Sequence, residues 1–382
     1  MANDLQPPTG KSSVGVMAYV WTDASRDEVL TEDASDKREF SVSVWYPTDV
    51  ISKPEAPYLP DFESWRSKIG EQRLKENLGG AWDAVQSSRA LAHVGAPLAK
   101  GRQRYPLLVF LPGLGMNTRV YSSLLGDLAS HGYVIVAVDP TYEVFATTLG
   151  AGRVAGFASP GWFQPPVENI VRYERGRLLV WAADARFALE RLRRQPPFDR
   201  RVDWSSIGAL GHSAGARVAA HLCQTERNVK GCLNLDGFAG FEPFFAEPGS
   251  TFEKRFAMIH MVIPDPTDAQ LNQMGWSRED MLKEKARQRA AGIRLFESVR
   301  SGSIEITLSP PGMGHGSFTD LPLLGNGPPG DHRRAMNLIR EFSRAFFDRT
   351  LKGQDKPELE LVPSAGDVAL ERYVYKGPAP KQ

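Results

Sequence analysis

The chain has 382 residues, 42% hydrophobic and 24% charged, the balance of a globular protein rather than a disordered one. Its 46 Lys and Arg against 45 Asp and Glu leave a formal net charge of +1, so composition makes no case for nucleic acid or an anionic membrane as main partner. No apolar run approaches the roughly 20 residues of a membrane span, and the start lacks the basic-then-apolar order of a signal peptide. The expectation is a soluble protein of enzyme size, either cytoplasmic or exported with its signal removed.

Residues 39–46 alternate with period two, with Phe40, Val42, Val44 and Tyr46 on one face, as a half-buried strand requires. Residues 14–20 supply a plausible antiparallel partner. From residue 106 the pattern changes to short apolar runs at 106–111, 133–138, 206–210, 231–235, 256–262 and 303–308. Central strands of a parallel sheet are covered on both faces and therefore read as unbroken apolar runs. Between or after them come helical stripes: Leu178, Trp181, Ala185, Leu189 and Leu192 in 176–194, then Ala335, Leu338, Phe342 and Phe346 in 332–350. The alternation predicts an α/β fold, a mostly parallel twisted sheet with helices on both faces and the early hairpin as its antiparallel edge. We expect residues 1–382 to form one domain, with 1–13 and 352–382 on its surface.

Three stretches break the alternation. Residues 47–104 hold a helical piece near 82–91 and a Pro-rich approach. Residues 141–175 are rich in Gly and aromatics, and 264–300 carry a charged helix over about 277–299. Insertions of this length in a sheet protein serve as covers of a pocket or as surface decoration. Cys223 and Cys232, nine positions apart, read first as two buried thiols and second as a disulfide clipping a helix end to the next strand. The seven histidines are scattered without metal-ligand spacing, so neither a metal nor a cofactor is expected.

The segment that carries chemistry is Gly211-His212-Ser213-Ala214-Gly215, directly after the run ending at Leu210 and before a helix over about 214–224. A serine at that junction sits on a tight turn, which demands small residues at 211 and 215 and raises its hydroxyl above the sheet. Serine needs a base, and the base needs an orienting acid. Both must come from loops at the carboxyl ends of strands. His315 lies in a Gly-rich loop after the last strand and is the expected base. His131, His221 and His260 fall at a helix end, within a helix and inside a strand, while His212 is expected to point away. Asp236 ends its strand directly, whereas Asp265 and Asp268 follow the next one. Asp236 is favoured because no proline intervenes and Gly237 stands behind it. For the oxyanion, backbone N–H groups of Ala214 and of Leu114, in Pro112-Gly-Leu-Gly-Met116, are the expected donors. Trp162 and Phe163, with Phe238 and Phe241, are candidates for an apolar substrate wall.

These motifs, with Pro8-Thr-Gly-Lys-Ser-Ser-Val-Gly15, Val44-Trp-Tyr-Pro47, Ala96-Pro-Leu-Ala99, 105–115, Leu128-Ala-Ser-His-Gly-Tyr133 and Leu235-Asp-Gly237, make residues 7–348 resemble the plasma-type platelet-activating factor acetylhydrolases and their bacterial relatives, within the α/β-hydrolase superfamily. The resemblance implies calcium-independent cleavage of short or oxidised acyl esters without interfacial activation, and an acid at the strand of Asp236. Two positions depart from the family. Pro112 stands where histidine is frequent, and Ala214 is smaller than the usual residue, which enlarges the acyl pocket and detaches phospholipid specificity from the resemblance. The expected function is therefore a serine carboxylic-ester hydrolase acting through an acyl-enzyme on a small-molecule or lipid ester. A polyester or aromatic-ester hydrolase with the same triad is its nearest rival. An acyltransferase and a non-catalytic binding protein on the same fold are the others, separable by alcohol partitioning and by failure of a fluorophosphonate to label Ser213.

Overall fold

The computed structural model describes residues 5–101, 104–159, 167–237, 251–262, 265–274, 277–325, 330–360 and 366–377. Thirteen strands occur among them: β1 (Ser13–Asp27), β2 (Lys37–Thr48), β3 (Glu55–Pro57), β4 (Arg89–Val94), β5 (Tyr105–Leu111), β6 (Val134–Asp139), β7 (Ala146–Thr148), β8 (Val154–Gly156), β9 (Val202–His212), β10 (Val229–Leu235), β11 (Arg255–Met261), β12 (Ser303–Leu308) and β13 (Val368–Tyr373). Eleven form one sheet in the order β13-β12-β11-β10-β9-β5-β6-β2-β1-β4-β3, while β7 and β8 make a separate ribbon. Every pairing from β12 to β6 is parallel. These six strands are the unbroken apolar runs of the sequence.

Alternate side chains of each central strand enter two different cores. Leu108, Phe110, Ile135, Leu210, Leu233 and Ile259 pack with Ile339, Phe342 and Phe346 of the helix His332–Lys352 on one face. Leu107, Val109, Leu111, Val136 and Ala209 pack with Leu178, Trp181 and Ala185 of the helix Val167–Leu192 on the other. Both helical stripes are thus explained by burial on opposite faces. No described helix is long and apolar enough to cross a membrane.

Three expectations need correction. The early hairpin is not the edge: β2 joins β6 antiparallel, but β4 and β3 extend the sheet beyond β1. The predicted helix near 82–91 stops at Ser87, because its last residues become β4. Part of the tail, β13, closes the opposite edge against β12, with Leu370 buried. The cysteines also differ from the first expectation. Cys223, in the helix Ala214–Thr225, is bridged to Cys232 in β10, with Cα atoms 5.9 Å apart.

Chain order reverses between β5 and β9. From β5 the chain moves to β6 on one side, and later returns as β9 on the other. Loops leaving the carboxyl ends of two such strands diverge and leave a crevice, the usual ligand position in an open α/β sheet. The β5 loop carries Leu114 and the β9 turn carries Ser213.

Candidate active site

Ser213 separates β9 from the helix Ala214–Thr225 with φ 54° and ψ −120°. A non-glycine residue at positive φ is strained, and the neighbours show why the turn persists. A side-chain carbon at Gly211 would come within 2.3 Å of the Gly215 carbonyl oxygen, and one at Gly215 within 2.3 Å of the carbonyls of Leu111 and Pro112. Both positions must be bare for the backbone to pass. The Ser213 N–H donates to the Leu235 carbonyl at 2.9 Å, fixing the turn to the end of β10.

The next residue along β10 is Asp236, also at positive φ, 52°. Its N–H donates to Ile259 O at 2.8 Å, and its Oδ1 accepts from the Met261 N–H at 3.3 Å. Its other oxygen, Oδ2, lies 2.5 Å from His315 Nδ1. The Asp236 side chain is 3% exposed and that of His315 43%. The carboxylate therefore faces the inner nitrogen and leaves the outer part of the ring accessible. The His315 loop is built locally: Gly314 N–H donates to Ser317 Oγ at 3.0 Å, and Phe318 is fully buried beneath it. Asp265, the alternative acid, is an exposed residue whose carboxylate pairs with Lys285. Asp268 pairs with Arg278.

The β5 loop forms a turn in which the Met116 N–H donates to Gly113 O at 3.0 Å and Gly115 takes φ +76°. That is the pattern of a type II turn with glycine at its third position. Its second residue, Leu114, keeps its N–H outside the turn's own hydrogen bond. Ala214 opens a helix, so its N–H has no intrahelical acceptor either. A side-chain carbon on Gly113 would lie 3.4 Å from Ser213 Cβ, so the turn rests beside the serine. Gly115 is held from behind, its N–H donating to Glu143 O at 2.8 Å and its carbonyl accepting from Phe145 N–H.

Of four supporting residues, three were not singled out from the sequence and one, His212, was expected to point away. His212 does not point away: its ring is buried 4.5 Å from that of His315, and one atom each of His212, Asp236 and His315 fall within 4.8 Å of one another. Burial, and then the neighbouring His315, push His212 well below the usual imidazole range. Tyr121 is fully buried, with its hydroxyl 2.9 Å from His212 Nδ1. Asp139 ends β6 and accepts from Thr118 N–H at 2.7 Å; burial raises its carboxyl to about 6. Asp320, five residues after His315, accepts from Ser123 N–H and is pushed up to about 7 by burial. The signal for Asp139 was present, a carboxylate closing a strand as Asp236 does. Trp162, Phe163, Phe238 and Phe241 lie outside the described residues.

Comparison with known proteins agrees with this architecture. The family described as platelet-activating factor acetylhydrolase, isoform II, matches residues 3–149. The chain is 24% identical over 348 residues to a platelet-activating factor acetylhydrolase of Cavia porcellus, covering 82% of this chain and 72% of the relative. It is 44% identical over 244 residues to one from Canis lupus familiaris, covering 55% of this chain and 52% of that protein, so it spans about half of this second relative. Among solved structures, a ferulic acid esterase from Streptomyces cinnamoneus superposes with TM-score 0.70 and 26% identity, over 95% of this chain and 97% of that one.

Proposed function

We propose that this chain is a serine ester hydrolase of the α/β-hydrolase superfamily, related to the platelet-activating factor acetylhydrolases, with Ser213, His315 and Asp236 as its catalytic triad. The observation that carries this reading is the buried Asp236 carboxylate 2.5 Å from His315 Nδ1, one strand away from a serine held at positive φ. A carboxylate only accepts, so Nδ1 carries the proton and Nε2 presents the lone pair that a base requires.

Ser213 Oγ attacks the ester carbonyl carbon as His315 Nε2 takes its proton. Asp236 stabilises the resulting imidazolium, and the N–H groups of Leu114 and Ala214 hold the oxyanion. The tetrahedral adduct collapses to an acyl-serine, and the leaving alcohol departs with the proton from His315. Water then gives a proton to His315 and attacks the acyl carbon, and the second collapse releases the carboxylic acid and restores the Ser213 hydroxyl.

We assign a short acyl group to the substrate, which the acetylhydrolase relatives support. An aromatic ester is the second reading, favoured by the ferulic acid esterase that aligns over nearly the whole chain. Hydrolysis of 4-nitrophenyl acetate by Ser213→Ala tests the triad: the rate should fall by about 10⁵- to 10⁶-fold, and an undiminished rate overturns it. Comparing an acetylated phospholipid with a feruloyl ester then separates the two substrate readings.

A further inference from the structure

The Tyr121 hydroxyl is flanked by two nitrogens. It accepts from the Gly113 N–H at 2.9 Å and lies 2.9 Å from His212 Nδ1. The Gly113 amide can only donate, so of the hydroxyl's two nitrogen neighbours only His212 Nδ1 can accept the phenolic proton; with Tyr121 donating to Nδ1, a neutral His212 carries its own proton on Nε2. Burial raises the Tyr121 hydroxyl far above the usual phenol range, which keeps that proton in place. His212 is then a neutral imidazole stacked at 5.4 Å on Phe318 and 4.5 Å from the His315 ring.

The same short segment grips the base loop. Asp320 N–H donates to Val120 O at 2.7 Å, and Ser123 N–H donates to the Asp320 carboxylate at 3.2 Å. Residues 120–123 therefore touch the turn that presents the Leu114 N–H, the residue before the nucleophile and the loop that carries the base. Gly113 is seated directly on this junction, since a side-chain carbon there would come within 3.0 Å of His212 Nδ1.

We propose that Tyr121 and His212 are positioning residues of this hydrolase: hydrogen bonds running from the Gly113 amide through Tyr121 to His212, and the packing of the His212 ring on that of His315, set the oxyanion turn and the His315 ring relative to each other across Ser213. The inference rests on the triad reading above. Losing the Tyr121 hydroxyl frees the Gly113 amide and lets the turn bearing the Leu114 N–H drift. Neutrality of His212 matters as well, because a cation beside His315 would oppose the imidazolium formed on attack.

Tyr121→Phe removes one oxygen and keeps the ring packed 4.7 Å from Phe110. With 4-nitrophenyl acetate, kcat should fall about 10- to 100-fold with KM within about twofold, less than the effect of deleting an oxyanion donor outright. Labelling of Ser213 by a fluorophosphonate should slow by the same factor. A purely structural tyrosine would lower the thermal midpoint without splitting kcat from KM. His212→Asn, whose amide oxygen can replace Nδ1 as acceptor, should retain more activity than His212→Ala. The double variant Tyr121→Phe/His212→Ala should lose less than the product of the two single losses, because both single variants break the same Tyr121–His212 hydrogen bond. Full kcat in Tyr121→Phe, no advantage of Asn over Ala, or losses that multiply in the double variant would each overturn the positioning role. Ser213→Ala, assayed in parallel, separates the two claims. If it is inactive while Tyr121→Phe is unaffected, only the positioning role falls; if it is active, the triad falls and the positioning role with it.

Discussion

Gly215→Ala probes the oxyanion turn without touching any reacting group. The new methyl carbon would sit 2.3 Å from the carbonyl oxygens of both Leu111 and Pro112, and 2.6 Å from the Leu111 carbonyl carbon. Ordinary contact begins near 3.4 Å, and the obstacle is backbone, so the β5 loop must retreat from the helix by about 1 Å. That loop carries Leu114 two residues later. Oxyanion donors act only within hydrogen-bond reach of the developing charge, and losing one costs about 10²- to 10³-fold in kcat. We expect kcat for 4-nitrophenyl acetate to fall about 100-fold with little change in KM, and overpacking to destabilise the fold by about 1–3 kcal/mol. Gly176→Ala is the control. It lies exposed in the helix Val167–Leu192 with nothing within 4 Å of the added carbon, so stability should rise by about 0.5–1 kcal/mol with activity unchanged. Wild-type kcat in Gly215→Ala would refute the claim that the Leu111–Pro112 backbone sets the oxyanion contact.

Asp236→Asn keeps the shape of the acid but presents a donor or a weaker acceptor to His315 Nδ1. It should lower kcat by about 10⁴-fold while leaving urea unfolding nearly unchanged, and a loss below tenfold would point to a different acid. Asp320 makes a prediction about pH. Its folded carboxyl is raised from 3.8 to about 7, first by burial and against the opposing bonds from Ser123. Between about pH 4 and pH 7 the native state therefore holds a proton that the unfolded state has released, so this group's contribution to stability falls as pH rises through that window and levels off above it. The shift corresponds to a contribution on the order of 4 kcal/mol. Asp320→Asn should remove this pH dependence, so the wild-type-minus-variant difference in unfolding free energy should become more negative from pH 5 to pH 8. A difference that stays constant across that range would contradict the assignment.

The six parallel strands were legible because each is covered on both faces and must be apolar throughout. Ser213 was legible because its turn admits only small neighbours, which Gly211 and Gly215 spell out. β4 was not, since Arg89 to Val94 alternates over only six residues and follows a helical stretch without punctuation. β13 was hidden in a charged tail whose pairing partner, β12, is more than fifty residues earlier. His212 was misread because a strand-terminal side chain was assumed to face away from its neighbour. Its burial against His315 depends on Tyr121, which is contributed by a different loop some ninety residues upstream. Contacts of that kind are set by tertiary packing and leave no local pattern.

Mapping the adduct of a fluorophosphonate by peptide mass spectrometry tests the central claim most directly. A single modification on Ser213 is expected, formed in step with loss of esterase activity and slowed severely in His315→Ala. Stoichiometric modification of another residue with the loss of activity, or full activity retained after Ser213 is modified, would contradict it.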